Sequence, residues 1–246
     1  MEKFRSFDGV ELSYHDPGGK GEPVILLHGF ATSSRIDWAE TGVYGALSRK
    51  DRRGIMLDAR GHGDSAKPHD SYSYCNRAMA RDVNALAELL GLTAYDVMGC
   101  SMGAKVAIEA ALMCPGIRRL VLVGLDVYER GWQYNEAERL ARVKNMLSRR
   151  SGKGDAFRLL AERHGGDRRA YAARLEGAAL PEFTRDDLGS IRIPVLVVNG
   201  KNDVLDASEA ASYFPDGRGA ALGGDYRAVL GCGEFHELAL SFLDAK

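Results

Sequence analysis

The stretch of this chain best equipped for chemistry is Gly99-Cys100-Ser101-Met102-Gly103. A serine hydroxyl is a weak nucleophile until its surroundings hold and activate it. The flanks supply the holding. Ala94-Tyr95-Asp96-Val97-Met98 predicts a buried strand, and residues 104–113 predict a helix from their composition and apolar spacing. A strand, G-x-S-x-G and a helix in succession make a tight turn that lifts the serine above a sheet, at the positive end of the helix. The chemistry implied is acyl chemistry at Ser101.

Positioning such a serine takes a sheet, and the rest of the chain reads as one. Residues 3–14 predict an opening hairpin around Asp8-Gly9. Pro23-Val24-Ile25-Leu26-Leu27 is apolar throughout, as in a strand covered on both faces, and it runs into His28-Gly29-Phe30-Ala31. Ile55-Met56-Leu57 runs into Asp58-Ala59-Arg60-Gly61-His62-Gly63-Asp64-Ser65. Residues 76–90 have helical spacing, and further strands are read at 119–125 and 193–200. Strands alternating with helices imply a parallel sheet with helices on both faces. Residues 126–190 break the alternation: they are helical in composition, rich in arginine and punctuated by glycines. They are too long for a crossover loop. The expected organisation is a core of residues 1–125 and 191–246, with a helical cap, 126–190, inserted after the sixth strand. The cap arginines read as solvated helix surface.

Composition limits the partners. The chain has 246 residues, 45% hydrophobic and 27% charged, with a net charge of −1. That balance argues against nucleic acid or an anionic membrane surface as the main partner. Met1-Glu2-Lys3-Phe4-Arg5 begins no apolar leader, so the cytoplasm is the expected location. Cys75, Cys100, Cys114 and Cys232 are scattered, which predicts reduced thiols and no zinc site. With no glycine-rich phosphate or dinucleotide loop, no cofactor is expected.

Together, His28-Gly29-Phe30, the segment Asp58–Ser65, the Ser101 motif and Asn199-Gly200-Lys201-Asn202-Asp203 resemble the α/β-hydrolase superfamily over nearly the whole chain. The similarity is greatest to its small-cap esterases, epoxide hydrolases and C–C hydrolases. The resemblance implies an α/β fold, a doubly wound, mostly parallel eight-stranded sheet with a small helical cap. It places Ser101 in the nucleophile slot and the backbone N–H groups of Phe30 and Met102 in the oxyanion hole. Asp203 takes the position of the acid, and Asp126 the position some relatives use instead. His62 falls in a structural turn. His28 braces the oxyanion loop and joins Cys100, Tyr128 and Trp132 as expected pocket residues. Trp38 and Tyr134 are further candidates for the pocket mouth.

The pattern breaks at the base. The fold's order is serine, acid, histidine, with the histidine in a loop after the last strand. With that strand at Gly217–Leu222, the loop is Gly223-Gly224-Asp225-Tyr226, and Tyr226 occupies the histidine slot. Twenty residues follow it, enough for a closing helix. The remaining downstream histidine, His236, lies on what reads as that helix. A second register keeps it available: a last strand at 226–230 would put His236 in the loop. A tyrosine holds its proton at neutral pH and is a donor rather than a base. Three functions stay open: non-hydrolytic chemistry such as cyclisation, elimination or isomerisation using the oxyanion hole; a serine hydrolase using Ser101, Asp203 and His236; and a silent ligand-binding protein. Each implies a small to medium, partly apolar organic molecule as the partner.

Overall fold

Alternate side chains of the central strands enter two different cores. In β3 (Pro23–Leu27), Ile25 and Leu27 pack on one face while Val24 and Leu26 pack on the other. β6 (Ile117–Val123) and β7 (Val195–Gly200) divide in the same way, with Leu120 and Val195 on the first face and Val121 and Leu196 on the second. Period-two alternation with both sides apolar is the mark of a sheet covered on both faces. A computed structural model of the chain describes residues 1–125, 136–148, 156–177, 183–203 and 205–245.

The remaining strands are β1 (Glu2–Arg5), β2 (Glu11–His15), β4 (Arg53–Asp58), β5 (Tyr95–Cys100) and β8 (Gly217–Leu222). The eight strands form one sheet in the order β1-β2-β4-β3-β5-β6-β7-β8. β2 is antiparallel to both neighbours, and β4 through β8 run parallel. This is the expected doubly wound, mostly parallel sheet. The first face carries α2 (Ala78–Leu89) and α3 (Met102–Ala111). The second carries α1 (Val43–Arg49) and the closing helix α10 (Gly233–Asp244), whose Phe235, Ala239, Phe242 and Leu243 make one apolar stripe.

Between β6 and β7 lie α4 (Glu136–Leu147), α5 (Ala156–Arg163), α6 (Arg168–Gly177) and α7 (Arg185–Ser190). Val143, Met146, Leu160 and Tyr171 from these helices join the first core, so the inserted helices pack as a continuation of it. After β7 come α8 (Ala207–Ala211) and α9 (Tyr226–Leu230). The short α9 corrects the second register: residues 226–230 are helix, not strand, and the last strand is Gly217–Leu222. Asp225 causes this locally, because its carboxylate accepts from the Arg227 and Ala228 N–H groups and caps the helix. No helix among the described residues is long and apolar enough to cross a membrane.

The turn after β4 is pinned by a buried cation. Arg60 is fully buried. Its guanidinium donates to Asp82 on α2 at 2.7 and 2.6 Å, to Asp8 at 2.8 Å and to the Ser73 carbonyl. Ser6 Oγ donates to the same Asp82 carboxylate. The opening hairpin, the β4 turn and α2 are thereby tied at one point.

Candidate functional site

Ser101 sits at the end of β5 with φ 50° and ψ −109°, a region that side-chain-bearing residues rarely occupy. Such a conformation costs about 1–3 kcal/mol and persists only when its surroundings enforce it. Here the Ser101 N–H is held by the Val123 carbonyl at 2.8 Å. Gly103 has no room for a Cβ, which would overlap the carbonyls of Leu27 and His28. The missing side chain lets α3 approach the end of β3, and that brings Phe30 to the same corner as Ser101.

Two backbone donors are left over there. Met102 is the first residue of α3, where N–H groups have no partner within the helix. Neither its N–H nor that of Phe30 donates to a described residue. Ser101 Oγ likewise makes no hydrogen bond among the described residues. The loop that carries Phe30 is fixed by Asp37, whose carboxylate is buried and accepts from Gly29 N–H at 2.7 Å and Thr32 Oγ1 at 2.8 Å.

On the other side, Asn199 joins the ends of β6 and β7. Its side chain accepts from Leu125 N–H and donates to the Leu125 and Leu205 carbonyls. Asp203 then accepts from Gly200 N–H at 2.7 Å and from the backbone N–H of Tyr226 at 3.2 Å. The Tyr226 ring lies over Gly124, where a Cβ would come within 2.6 Å of its Cγ, and Gly124 has φ 63°. Gly124 directly follows Val123, the residue that holds Ser101. Arg227 Nε donates to Tyr226 Oη at 3.3 Å. Burial pushes the Tyr226 phenol up, and the Cys100 thiol and Asp37 carboxylate add to this against the Arg227 charge. The phenol stays protonated at neutral pH and is a donor.

The structure thus gathers Ser101, Phe30, Met102, Asp203 and Tyr226 at the C-terminal ends of β3, β5, β6 and β7, where ligands bind in sheets of this kind. Other expected residues lie elsewhere. His236, on helix α10, is turned onto the Leu230 carbonyl, 2.9 Å from Nε2, and packs beside Gly42. His28 is buried, and both ring nitrogens are taken by backbone, Nδ1 by the Gly29 carbonyl and Nε2 by the Ala59 N–H. It braces the loop through these two contacts. Cys100 and Trp38 are fully buried in the second core, because β5 alternation turns Cys100 away from the site. Asp126, Tyr128, Trp132 and Tyr134 lie outside the described residues. Asp37 and Arg227 had no motif to announce them: Asp37 sits in the short π-helical turn Arg35–Ala39, and its partners Gly29 and Thr32 are set by the fold of the loop before it. Asn199 stands in a matching stretch, but its role of joining β6 to β7 is set by tertiary contact. Among the described residues no group of His, Cys, Asp or Glu side chains is placed to hold a metal ion.

Helices α5 and α6 reach this corner through aromatic side chains. Phe30 packs on Phe157 at 5.4 Å, on Tyr171 at 5.2 Å and on His62 at 5.6 Å. The Tyr171 phenol is pushed up to about 12 by burial. His62 is fully buried; its Nδ1 faces the Arg60 carbonyl at 3.1 Å and is assigned the proton on that basis, leaving Nε2 without a partner among the described residues. Burial, assisted by the nearby His28, holds its pKa well below the ordinary 6.5. Unfolding therefore takes up a proton that the native state refuses. Stability is expected to fall as pH drops below 6.5, by about 1.4 kcal/mol per pH unit from this one group. Denaturant titrations from pH 7 to 5 check it: His62→Phe should have a shallower slope than the parent, and equal slopes would remove His62 from the account.

Comparison with known proteins agrees with the fold. A family model described as alpha/beta hydrolase fold matches residues 22–141. An N-formylmaleamate deformylase of Pseudomonas putida is 40% identical over 124 residues, which is 48% of this chain and 42% of that protein. The chain thus spans less than half the length of the first curated relatives it matches. A pimeloyl-(acyl-carrier protein) methyl ester esterase of Nitrosospira multiformis is 30% identical over 232 residues, covering 82% of this chain and 84% of that one. Among solved structures, an esterase from Exiguobacterium antarcticum has a TM-score of 0.80 over 99% of both chains at 21% identity, a likeness of fold.

Proposed function

The chain belongs to the α/β-hydrolase superfamily, and we propose that within it this protein is an enzyme acting on a carbonyl group of a small, partly apolar organic molecule without a histidine base. In this reading the Phe30 and Met102 N–H groups receive the negative charge that grows on the carbonyl oxygen. Such donors act on charge present only in the transition state, and one of them contributes about 3 kcal/mol. Ser101 orients the reacting carbon, Asp203 holds the Tyr226 backbone, and Tyr226 donates a hydrogen bond to a substrate oxygen. Helices α4 to α7 serve as the cap over this pocket. The chemistry favoured is non-hydrolytic: isomerisation, elimination or cyclisation through an enolate-like state.

The observation that carries the reading is the company of Asp203. Its carboxylate is occupied by two backbone N–H groups, and His236, the histidine that would complete a relay, is bound to Leu230. A serine without a neighbouring base reacts slowly with acyl compounds. A second reading, serine hydrolysis, draws support from the relatives, which are named as a deformylase and an esterase. Labelling with a fluorophosphonate probe separates the two. Labelling of Ser101 is expected to be about 10³-fold slower than for an intact triad, and turnover of a carbonyl substrate is expected to survive Ser101→Ala. Rapid labelling, with all turnover lost in Ser101→Ala, would establish the hydrolase instead. Tight ligand binding without turnover would make it a binding protein.

A further inference from the structure

Arg227 is an exposed cation beside the site, and no carboxylate among the described residues pairs with it. It follows Tyr226 directly and is solvent-exposed. Nε donates to Tyr226 Oη, and the guanidinium carbon lies 5.6 Å from the Tyr226 ring centroid. These two contacts fix the orientation of the group while sparing both terminal nitrogens, which have no acceptor among the described residues. The acids beside Tyr226 are engaged elsewhere. Asp225 accepts from the N–H groups of Arg227 and Ala228 as the cap of α9, and Asp203 accepts from Gly200 and Tyr226. At the Cys100 thiol, in the second core beneath this corner, the Arg227 charge opposes the rise caused by burial.

We propose that Arg227 is a recognition residue for a carboxylate on the substrate, its two terminal nitrogens pairing with the two carboxylate oxygens. The proposal rests on the site assigned above and gives it a substrate class: organic acids that carry a reacting carbonyl within reach of Ser101. The physical case is geometric. A guanidinium presents parallel N–H groups that match a carboxylate, and such charge-assisted pairs are about twice as strong as neutral ones. Holding Nε on the phenol turns a flexible side chain into a preset fork, so less freedom is lost when an acid binds. It also links recognition to Tyr226, because the residue that grips the acid is bonded to the phenol that donates to the substrate.

The test compares p-nitrophenyl hydrogen glutarate with its neutral methyl ester, and glutarate itself as a binding probe in calorimetry. The parent is expected to prefer the acid in kcat/KM, and Arg227→Gln to lower the acid-to-ester ratio by about 10- to 100-fold. Taking the ratio removes any general effect of disturbing Tyr226. Arg227→Lys, which keeps the charge but loses the fork, should retain part of the preference. Glutarate should bind the parent and bind Arg227→Gln at least tenfold more weakly, with thermal melts of the variant confirming its fold. An unchanged ratio in Arg227→Gln overturns the proposal. If the parent hydrolyses neither ester, the glutarate titration decides alone: weaker binding in Arg227→Gln upholds the carboxylate subsite independently of the carbonyl chemistry, and equal or absent binding overturns it.

Discussion

Tyr226→His is expected to raise hydrolysis of a p-nitrophenyl acyl ester by about 10²- to 10⁴-fold, the usual contribution of a positioned general base. In the proposed site the other parts are in position. Ser101 is strained into the elbow conformation, the Phe30 and Met102 N–H groups have no acceptor among the described residues, and Asp203 reaches the backbone of residue 226. What is lacking is a group that can take the serine proton near pH 7. The Tyr226 phenol cannot, since burial holds its pKa above the ordinary 10, whereas an imidazole titrates in that range. His236→Ala, assayed in parallel, should cost little catalytically because that ring is committed to the Leu230 carbonyl. If His236→Ala abolishes a robust parental esterase while Tyr226→His gains nothing, the assignment of residue 226 to the base position is wrong.

The largest loss of stability is expected from Asp82→Ala. Arg60 is fully buried, and Asp82, itself 1% exposed, meets it through two hydrogen bonds. The wild-type pair does not stabilise greatly relative to an apolar pair, because both charges lose their water. Removing one partner is different: the guanidinium stays buried with Asp8 as its remaining carboxylate, and breaking such a pair costs about 3–5 kcal/mol. Ser6 Oγ also loses its acceptor. Denaturant unfolding measures the cost directly. A loss below about 1 kcal/mol would mean that Asp8 and the Ser73 carbonyl suffice for Arg60. Asp82→Asn, which keeps an acceptor oxygen but not the charge, should fall between.

Local patterns made much of the fold legible. The continuous apolar run at Pro23–Leu27 reads as a doubly covered strand, and Gly99–Gly103 between a strand and a helix marks the elbow. Both are signals of a few adjacent residues, written by sterics and by period-two alternation. The chain length left after Tyr226 likewise implied a closing helix, and α10 is there. What the sequence could not determine were partnerships between residues far apart in the chain. The family resemblance made His28 and Cys100 expected pocket residues, yet backbone hydrogen bonding consumes one and strand alternation buries the other. Helix α9 is a five-residue turn of chain made by the Asp225 cap, too short to show a periodicity. Asp37, Asn199 and Arg60 reach across 8, 74 and 22 positions to their partners. A side chain's charge and hydrogen-bonding capacity are written at its own position. Whether that capacity goes to the backbone, to a buried ion or to a substrate is settled only when the sheet closes and decides which groups lose their water.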